Sequence, residues 1–578
     1  MGVNRNRNGN GKGKEIDYRR LDDLRRGRGP IQEHVIDEFV DRRLSRRDFI
    51  RRGTAVGLSL PFVSAVLTAT GEAAASPRSR LFTPQGTAGA TIRAGILVPT
   101  GAINPLTIDD EGGLELLGNV GEFLVLSDQK FDYQPWLATS WSPNADGSVW
   151  TFKIRQGVKF NNGAPMTVDD VVYSFQSQAN PKNGSFALSV FAGILVPDGV
   201  VKVDDETVAF HLEAPDGGFP DAVSSDNYNM IIVPSGYDYA DYQKDFIGTG
   251  HFTVSSYSPG VGATYVRNPH YWGAAALPET VQWTFYGSET AMAAALEAGQ
   301  IDTLDQFTVA TSPQLLDGNY NVINLKSSLH RELSMRCDLA PFTNKYVRQA
   351  IAYTLDRPAL VQALFKGYAV VGNDSPFAPV FPSSVGSPTV PQRAQNLKLA
   401  KELLAKGGVP NGFTTPLLTE QHQEIPEYAQ ILKAAAAQIG VTIDLTIEAQ
   451  DKYYGSGVYG TSDWLDGEMS IVDYGSRSTP NLFLEAPLQT FNKKTGAGAW
   501  NAARFSDPTY DSLSRQFVAA VDLSSQRALA QKIEALLLDE TPIIYAYFYN
   551  YLSASQKNVT GVYPTQLSQF FLWNATKS

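Results

Sequence analysis

The 578-residue chain contains a single cysteine, Cys337. A lone thiol excludes an intramolecular disulfide, a CxxC redox pair and a multi-thiolate metal site. Histidine is nearly as scarce. The six residues His34, His211, His251, His270, His330 and His422 are scattered, with no two at ligand spacing on one helix, which argues against a structural zinc site. No Gly-x-Ser-x-Gly elbow, HExxH or P-loop is present, so no common catalytic or cofactor motif points to an enzyme. After Ala75 no apolar stretch is long enough to span a bilayer. A basic surplus is also missing from most of the chain. Residues 1–75 carry 15 Lys+Arg against 10 Asp+Glu, whereas the remainder carries 33 against 49, a net charge of −16. A body this acidic cannot bind nucleic acid by neutralising phosphates.

What is present begins with an unusual amino terminus. Asn4 to Lys14 is rich in Asn, Gly, Arg and Lys, a composition that does not build a core. Ser45-Arg46-Arg47-Asp48-Phe49-Ile50-Arg51 follows, then an apolar run from Thr54 to Thr70 and a small-residue pattern at Ala73-Ala74-Ala75. Paired arginines before a weakly apolar run resemble a twin-arginine (Tat) signal peptide, cleaved near Ala75. The run holds Gly57, Ser59, Pro61 and Ser64, which makes it a poor bilayer span. No lipoprotein cysteine follows it, so a soluble periplasmic protein is expected, exported through the Tat translocase.

At 63.0 kDa the chain needs more than one core. Strands and helices intermix from Ala90 onward, the pattern of an α/β protein. Asp146-Gly147 supplies a hairpin turn before alternating Trp150, Phe152 and Ile154, and Thr167 to Asp170 has capping-box spacing. Val203 to Val208 reads as a second hairpin. Helical stripes follow over 347–355, 357–365, 397–404, 426–438 and 529–537, with strands at 441–447 and 543–548. Aromatic content is high, at 11%, which fits large cores or an aromatic-lined cleft. Gly455 to Gly460 matches GxGxxG but lacks the flanking strand and helix, so it reads as a loop.

Several motifs then occur in order. Pro135-Trp136-Leu137-Ala138-Thr139-Ser140-Trp141, Thr151-Phe152-Lys153-Ile154-Arg155 and Val158-Lys159-Phe160-Asn161-Asn162-Gly163 come first. Gly248-Thr249-Gly250-His251-Phe252, Arg267-Asn268-Pro269-His270-Tyr271-Trp272 and Leu296-Glu297-Ala298-Gly299-Gln300-Ile301-Asp302 follow, and Val347-Arg348-Gln349-Ala350-Ile351-Ala352 later. Together they resemble the family 5 extracellular solute-binding proteins, the peptide-, nickel- and opine-type receptors of ABC importers. The resemblance implies a two-lobed α/β periplasmic binding protein of the class II, cluster C type, with an extra subdomain in the first lobe. It places lobe 1 at 90–325, with an inserted subdomain at about 125–232, and lobe 2 at 326–522. It returns 523–578 to lobe 1. The implied partners are a small peptide-like or anionic solute and an ABC permease/ATPase complex in the inner membrane. A monomer without cofactor is expected. A ligand sensor for a membrane signalling partner and an exported hydrolase are the rival readings.

In peptide-binding members an aspartate holds the ligand's α-ammonium. Aligned through Thr479-Pro480-Asn481, this chain has Gly475-Ser476-Arg477-Ser478 there, with Asp473 slightly upstream. Arg477 presents a planar donor fork suited to a carboxylate or phosphate. The expected ligand-binding set is therefore Arg477 toward an anionic group, Asp473 reaching the cleft, Tyr474 and Trp500 as walls and Asn501 as a polar clamp. Arg336, beside Cys337, is a further candidate.

Overall fold

A computed structural model of the chain describes residues 30–40, 44–45, 48–49, 52–53, 58, 60–70 and 89–578, except 192, 387–388 and 494–495. Arg46, Arg47 and Ala73 to Ala75, on which the export reading rests, lie outside the described residues.

Two large sheets organise the body. The first has seven strands in the order Asn321–Leu325, Tyr551–Ser555, Thr303–Phe307, Thr91–Leu97, Thr280–Tyr286, Gly262–Arg267 and Phe252–Ser258. The second has six: Ala369–Val371, Ile543–Tyr549, His330–Met335, Met469–Tyr474, Thr414–Glu420 and Thr442–Glu448. Each sheet anchors one lobe. The segment expected as an insertion forms a four-stranded antiparallel sheet, Ala138–Pro143, Val149–Ile154, Thr207–His211 and Val200–Asp204, backed by the helix Val168–Gln178. Trp150, Phe152, Phe175 and Phe210 bury its inner face, continuous with the core under the seven-stranded sheet. The Thr167–Asp170 capping box that opens the helix is formed as the spacing predicts.

The chain passes between the two sheets twice. Strand Asn321–Leu325 belongs to the first and His330–Met335 to the second, so one crossing lies at 326–329. Ile543–Tyr549 belongs to the second and Tyr551–Ser555 to the first, so the other lies at Asn550. The two crossings are stitched together: Ser327 Oγ donates to the Tyr549 carbonyl, and the Tyr549 amide donates to the Leu329 carbonyl at 2.9 Å. This corrects the expected return to lobe 1 at residue 523. Helix Leu523–Glu540 buries Ala530, Ile533 and Leu537 in the core of lobe 2, and the strand after it lies inside the six-stranded sheet. The apolar stripe that marks a helix does not say which core it faces.

Residues before the body form a separate apolar cluster that includes Ile36, Phe39, Phe49, Phe62 and Val66. It meets the body where His34 Nε2 lies 3.9 Å from Asp522 Oδ1. Among the described residues no helix is long and apolar enough to cross a membrane.

The carboxyl-terminal return is fixed by Asp302, whose side chain is 1% exposed. Its Oδ1 accepts from Arg93 Nη2 at 2.6 Å and Lys577 Nζ at 2.9 Å, and its Oδ2 from the Arg93 amide at 3.0 Å. Burial alone would raise its pKa, but the bonds from Arg93 and Lys577 outweigh burial and lower it. Because both cations are about one-third exposed, Asp302→Asn is expected to cost only about 1–2 kcal/mol at pH 7. The loss should be full above the unfolded carboxyl pKa of about 3.9 and should disappear as pH falls through the lower folded value. Urea unfolding at pH 7 and pH 3 checks both parts.

Candidate ligand cleft

The cleft is built where strand ends of the two lobes face each other beside the crossings. On lobe 2, Arg331 stands opposite Asp473 in antiparallel register. The Arg331 side chain is fully buried, an arrangement that is costly unless every donor is met. Its Nη1 donates to Asp473 and, at 2.7 Å, to Tyr549 Oη. Its Nη2 donates to Gln423 Oε1 at 2.7 Å and Glu424 Oε2 at 3.1 Å, and Nε lies 3.0 Å from Glu424 Oε1. Burial acts to lower the Arg331 pKa, but Asp473 and Glu424 outweigh it and hold the guanidinium well above its ordinary value.

Gln423 carries this network across the cleft. Its Nε2 donates to Glu289 Oε1 on lobe 1 at 2.7 Å. Glu289 Oε2 in turn accepts from Thr308 Oγ1 at 3.1 Å and Thr311 Oγ1 at 2.6 Å. Gln423 has φ +43°, the left-handed region that favours glycine, so its backbone conformation costs of order 1–3 kcal/mol. Its contacts to both lobes are what hold it there.

Lobe 1 presents the amino terminus of helix Glu111–Val120, capped by Asp110, whose Oδ1 accepts from the Gly113 amide at 2.8 Å. Gly112 lets this end approach the sheet, since a Cβ there would stand 2.0 Å from the Leu97 carbonyl oxygen. Glu111 is solvent-exposed, and desolvation by the surrounding protein, then the charges of Asp305, Glu289, Asp473 and Asp110, act to raise its pKa. One turn on, Glu115 is buried near Asp305. Burial raises both, Asp305 to about 7.

Beside the first crossing, where Ser328 Oγ donates to the Arg477 carbonyl at 2.8 Å, the lobes meet a second time. Ser478 of lobe 2 donates from its amide to Asp226 Oδ2 at 3.0 Å and from its Oγ to the same oxygen at 2.8 Å. Its Oγ also touches Asp221. Next to this contact a cavity of about 950 Å³ opens between Ile194 and Asp216 on one side and Leu482, Glu485 and Phe491 on the other.

The expected site residues separate on this geometry. Asp473 does stand in the cleft, paired with Arg331. Arg477 lines a recess with Asp216, Asp221, Asp226 and Glu485. Its guanidinium lies 5.7 Å from the Tyr228 ring centroid, and Nη1 donates to the Ser476 carbonyl at 2.8 Å. Its nearest charges are thus carboxyls of the opposite lobe. Tyr474 is not a cleft wall: strand alternation turns it to the other face from Asp473, where it is buried against His330 and Phe483. Trp500 packs on Tyr474 on that same side, with ring centroids 6.2 Å apart. Asn501 is no ligand clamp either. Its Nδ2 donates to the Gln489 and Phe505 carbonyls at 2.9 and 2.7 Å, and its Oδ1 accepts from the Phe505 amide at 2.9 Å, so the side chain braces a loop. Arg336 lies roughly 16 Å along the strand from Arg331, at the end away from the crossings. There it makes a two-pronged pair with Asp338 at 2.7 and 2.8 Å. Sequence reasoning missed Arg331, Gln423 and Glu111. A charged run, His330-Arg331-Glu332, inside an otherwise apolar strand was the available signal.

Two α/β lobes joined by two crossings, with polar groups converging between them, define a two-lobed binding protein. The family model for bacterial extracellular solute-binding proteins, family 5 (middle region), matches residues 132–498, and the chain belongs to this family. The dipeptide-binding protein DppE of Bacillus subtilis is 24% identical over 480 residues, covering 77% of this chain and 84% of that protein. Heme-binding protein A of Haemophilus influenzae is 27% identical over 451 residues, covering 72% and 78%. The structure of the ABC transporter-associated periplasmic binding protein DppA from Helicobacter pylori, in complex with the peptide STSA, superposes with a TM-score of 0.69 at 21% identity, covering 85% of this chain and 98% of that one. These relatives are binding proteins, not enzymes.

The buried carboxyls give the fold a measurable pH response. Burial raises Asp305, Glu122 and Glu485 to about 7, and Asp216 to about 6. Unfolded, such groups titrate near 4, so between these limits the folded chain binds more protons and stability rises as pH falls. His251 acts oppositely, since burial lowers it to about 3, but its penalty begins only below the unfolded histidine value of about 6.5. The melting temperature is therefore expected to rise from pH 8.5 to pH 6.5 in differential scanning calorimetry.

Proposed function

We propose that the chain is the periplasmic receptor of an ABC importer and captures a peptide-like solute between its lobes. The observation that carries this reading is the polar network spanning the cleft beside two stitched crossings, from Arg331 through Gln423 to Glu289. A ligand there can touch both lobes only when they are closed, and that difference in contact drives closure. A relative named for dipeptides and a peptide-bound neighbour fit a peptide-like solute, while another relative is named for heme.

Charge favours the same choice. Glu111, Glu289, Asp305 and Asp473 surround the cleft, and Arg331 and Arg477 are already offset by carboxyls. An anionic solute would find neither arginine free to pair with it. Arg477 accordingly serves to offset Asp221 and Asp226 where the lobes meet. Export as a monomer by the Tat route, guided by Arg46-Arg47 and ending in cleavage near Ala75, completes the proposal. The clamshell would serve a sensor equally well, and uptake measured in cells lacking the chain separates the two.

Mass spectrometry of solutes released from the purified protein is expected to find peptides, and adding them back should raise the melting temperature. Turnover of a bound peptide would favour the hydrolase reading instead. For Arg477→Ala, affinity for a peptide and for its C-terminal amide should fall equally. A loss confined to the free carboxylate form would give Arg477 the anion-binding role.

A further inference from the structure

Where the lobes meet at Ser478, the acceptors outnumber the hydrogens. Ser478 follows the strand Met469–Tyr474 of lobe 2, and its segment is fixed beside the first crossing, where the Arg477 amide donates to Ser328 Oγ at 2.8 Å. From lobe 1 come two carboxyls on one short stretch, Asp221 in the helix Phe219–Ala222 and Asp226 just after it. The stretch is tied to its own lobe by the Ser225 amide, which donates to the Val125 carbonyl at 3.0 Å. Both carboxyls converge on one hydroxyl: Ser478 Oγ touches Asp221 Oδ1 and stands 2.8 Å from Asp226 Oδ2. A hydroxyl has one hydrogen, so it satisfies one carboxylate and turns a lone pair toward the other. Two acceptors in contact repel unless the second carboxyl carries a proton and donates it to Oγ. Neighbouring donors leave this demand in place. The Ser478 amide serves Asp226 Oδ2 and Tyr133 Oη serves Asp221 Oδ1 at 3.0 Å, while Asp226 Oδ1, on a residue 5% exposed, has no partner among the described residues.

We propose that Asp221, Ser478 and Asp226 form a proton-dependent latch between the lobes, closed when the two carboxyls share one proton and released when both are ionised. On closure the proton comes from solvent and is held between a carboxyl oxygen and Ser478 Oγ, and on release it returns to solvent. The charged groups that face the pair set this stoichiometry. Arg477, on the same segment as Ser478 and near the Tyr228 ring, supplies one fixed positive charge, which offsets one carboxylate and leaves the other for the proton. Burial, then the charge of Asp226, holds Asp221 well above the ordinary carboxyl range. Asp216 of lobe 1 and Glu485 of lobe 2 line the same recess and act in the same direction. Burial and the facing Asp216 push Glu485 up to about 7, and burial brings Asp216 to about 6. Opening returns these carboxyls to water, where such groups titrate near 4. The closed form therefore binds more protons than the open one and gains on it as pH falls through about 7 toward 4.

This inference rests on the two-lobed receptor reading but not on the solute's being a peptide. Spin labels on Val203→Cys in lobe 1 and Ile447→Cys in lobe 2, in a Cys337→Ser background, read the interlobe distance by double electron–electron resonance. Protein freed of copurifying solute is measured at pH 8.5, 7.0 and 5.5. The ratio of closed to open populations is expected to rise at least about tenfold across that range. Asp221→Asn, whose amide stands in for a protonated carboxyl, should hold the closed population at pH 8.5 near the level that the unsubstituted latch reaches at pH 5.5. Asp226→Asn repeats the test should the first variant misfold, and circular dichroism reads folding in each. Glu485→Gln should weaken the pH response without abolishing it. An interlobe distance indifferent to pH, a full response retained in the asparagine variants, or a response lost entirely in Glu485→Gln would overturn the latch. A tripeptide pool added at pH 8.5 keeps the two readings apart. Closure by the pool in a protein indifferent to pH leaves the receptor standing and the latch fallen. A pH response in a protein that the pool fails to close supports the latch and counts against a peptide solute.

Discussion

A fully buried guanidinium is the constraint around which the cleft is arranged. Arg331 sits on the strand that has just crossed from lobe 1, and its charge cannot be left unpaired in a dry interior. Pairing it conscripts Asp473 from the adjacent strand, Tyr549 from the last strand before the second crossing, and Gln423 and Glu424 from the start of a helix. Four separate segments are thereby held at the mouth of the cleft. Packing alone would not select this arrangement, since apolar replacements of buried ion networks are often as stable. What the network adds is position: Asp473 is held beside the cleft, and Gln423 is held in a strained backbone geometry that points its amide at the opposite lobe.

The two crossings set what can move. They are short, 326–329 and Asn550, and bonded to each other, so the lobes can rotate about them but cannot slide apart. Turning such a clamshell from 1:99 to 99:1 closed requires about 5.5 kcal/mol of preferential ligand contact. Between the lobes stand Gln423 to Glu289, Ser478 to Asp221 and Asp226, the Gly217 amide on the Val518 carbonyl, and the Phe131 ring 6.5 Å from that of Phe381. Closure therefore has to make or break both polar and apolar contacts away from the crossings.

Much of the fold could be read from the chain because its signals are local. The Asp146-Gly147 hairpin, the Thr167–Asp170 capping box and the alternation at Ile543 to Phe548 each depend on a few neighbouring residues. The site was less legible because its groups are paired across long separations. Arg331 meets Gln423 and Glu424 some 90 residues away, and Glu111 meets Asp305 nearly 200 away. Glu111 also has an innocent local explanation, since an acidic residue in the first turn of a helix complements its dipole. Asn501 fails in the opposite direction: its polarity suggested a ligand contact, but its amide is wholly spent on the backbone of its own loop. Polarity shows that a partner must exist and leaves open whether the partner is protein or solute.

The difference between Arg331 and Arg477 bears directly on what the cleft can hold. Sequence reasoning gave the exposed-looking fork at Arg477 to an anionic solute and overlooked the arginine in the strand. In the structure both stand among carboxyls, so neither offers an uncompensated positive charge. Finding Ser476-Arg477 where an aspartate was expected therefore does not by itself imply a cleft for anions. A side chain's charge says what it could attract only after the charges that its own fold sets against it are counted.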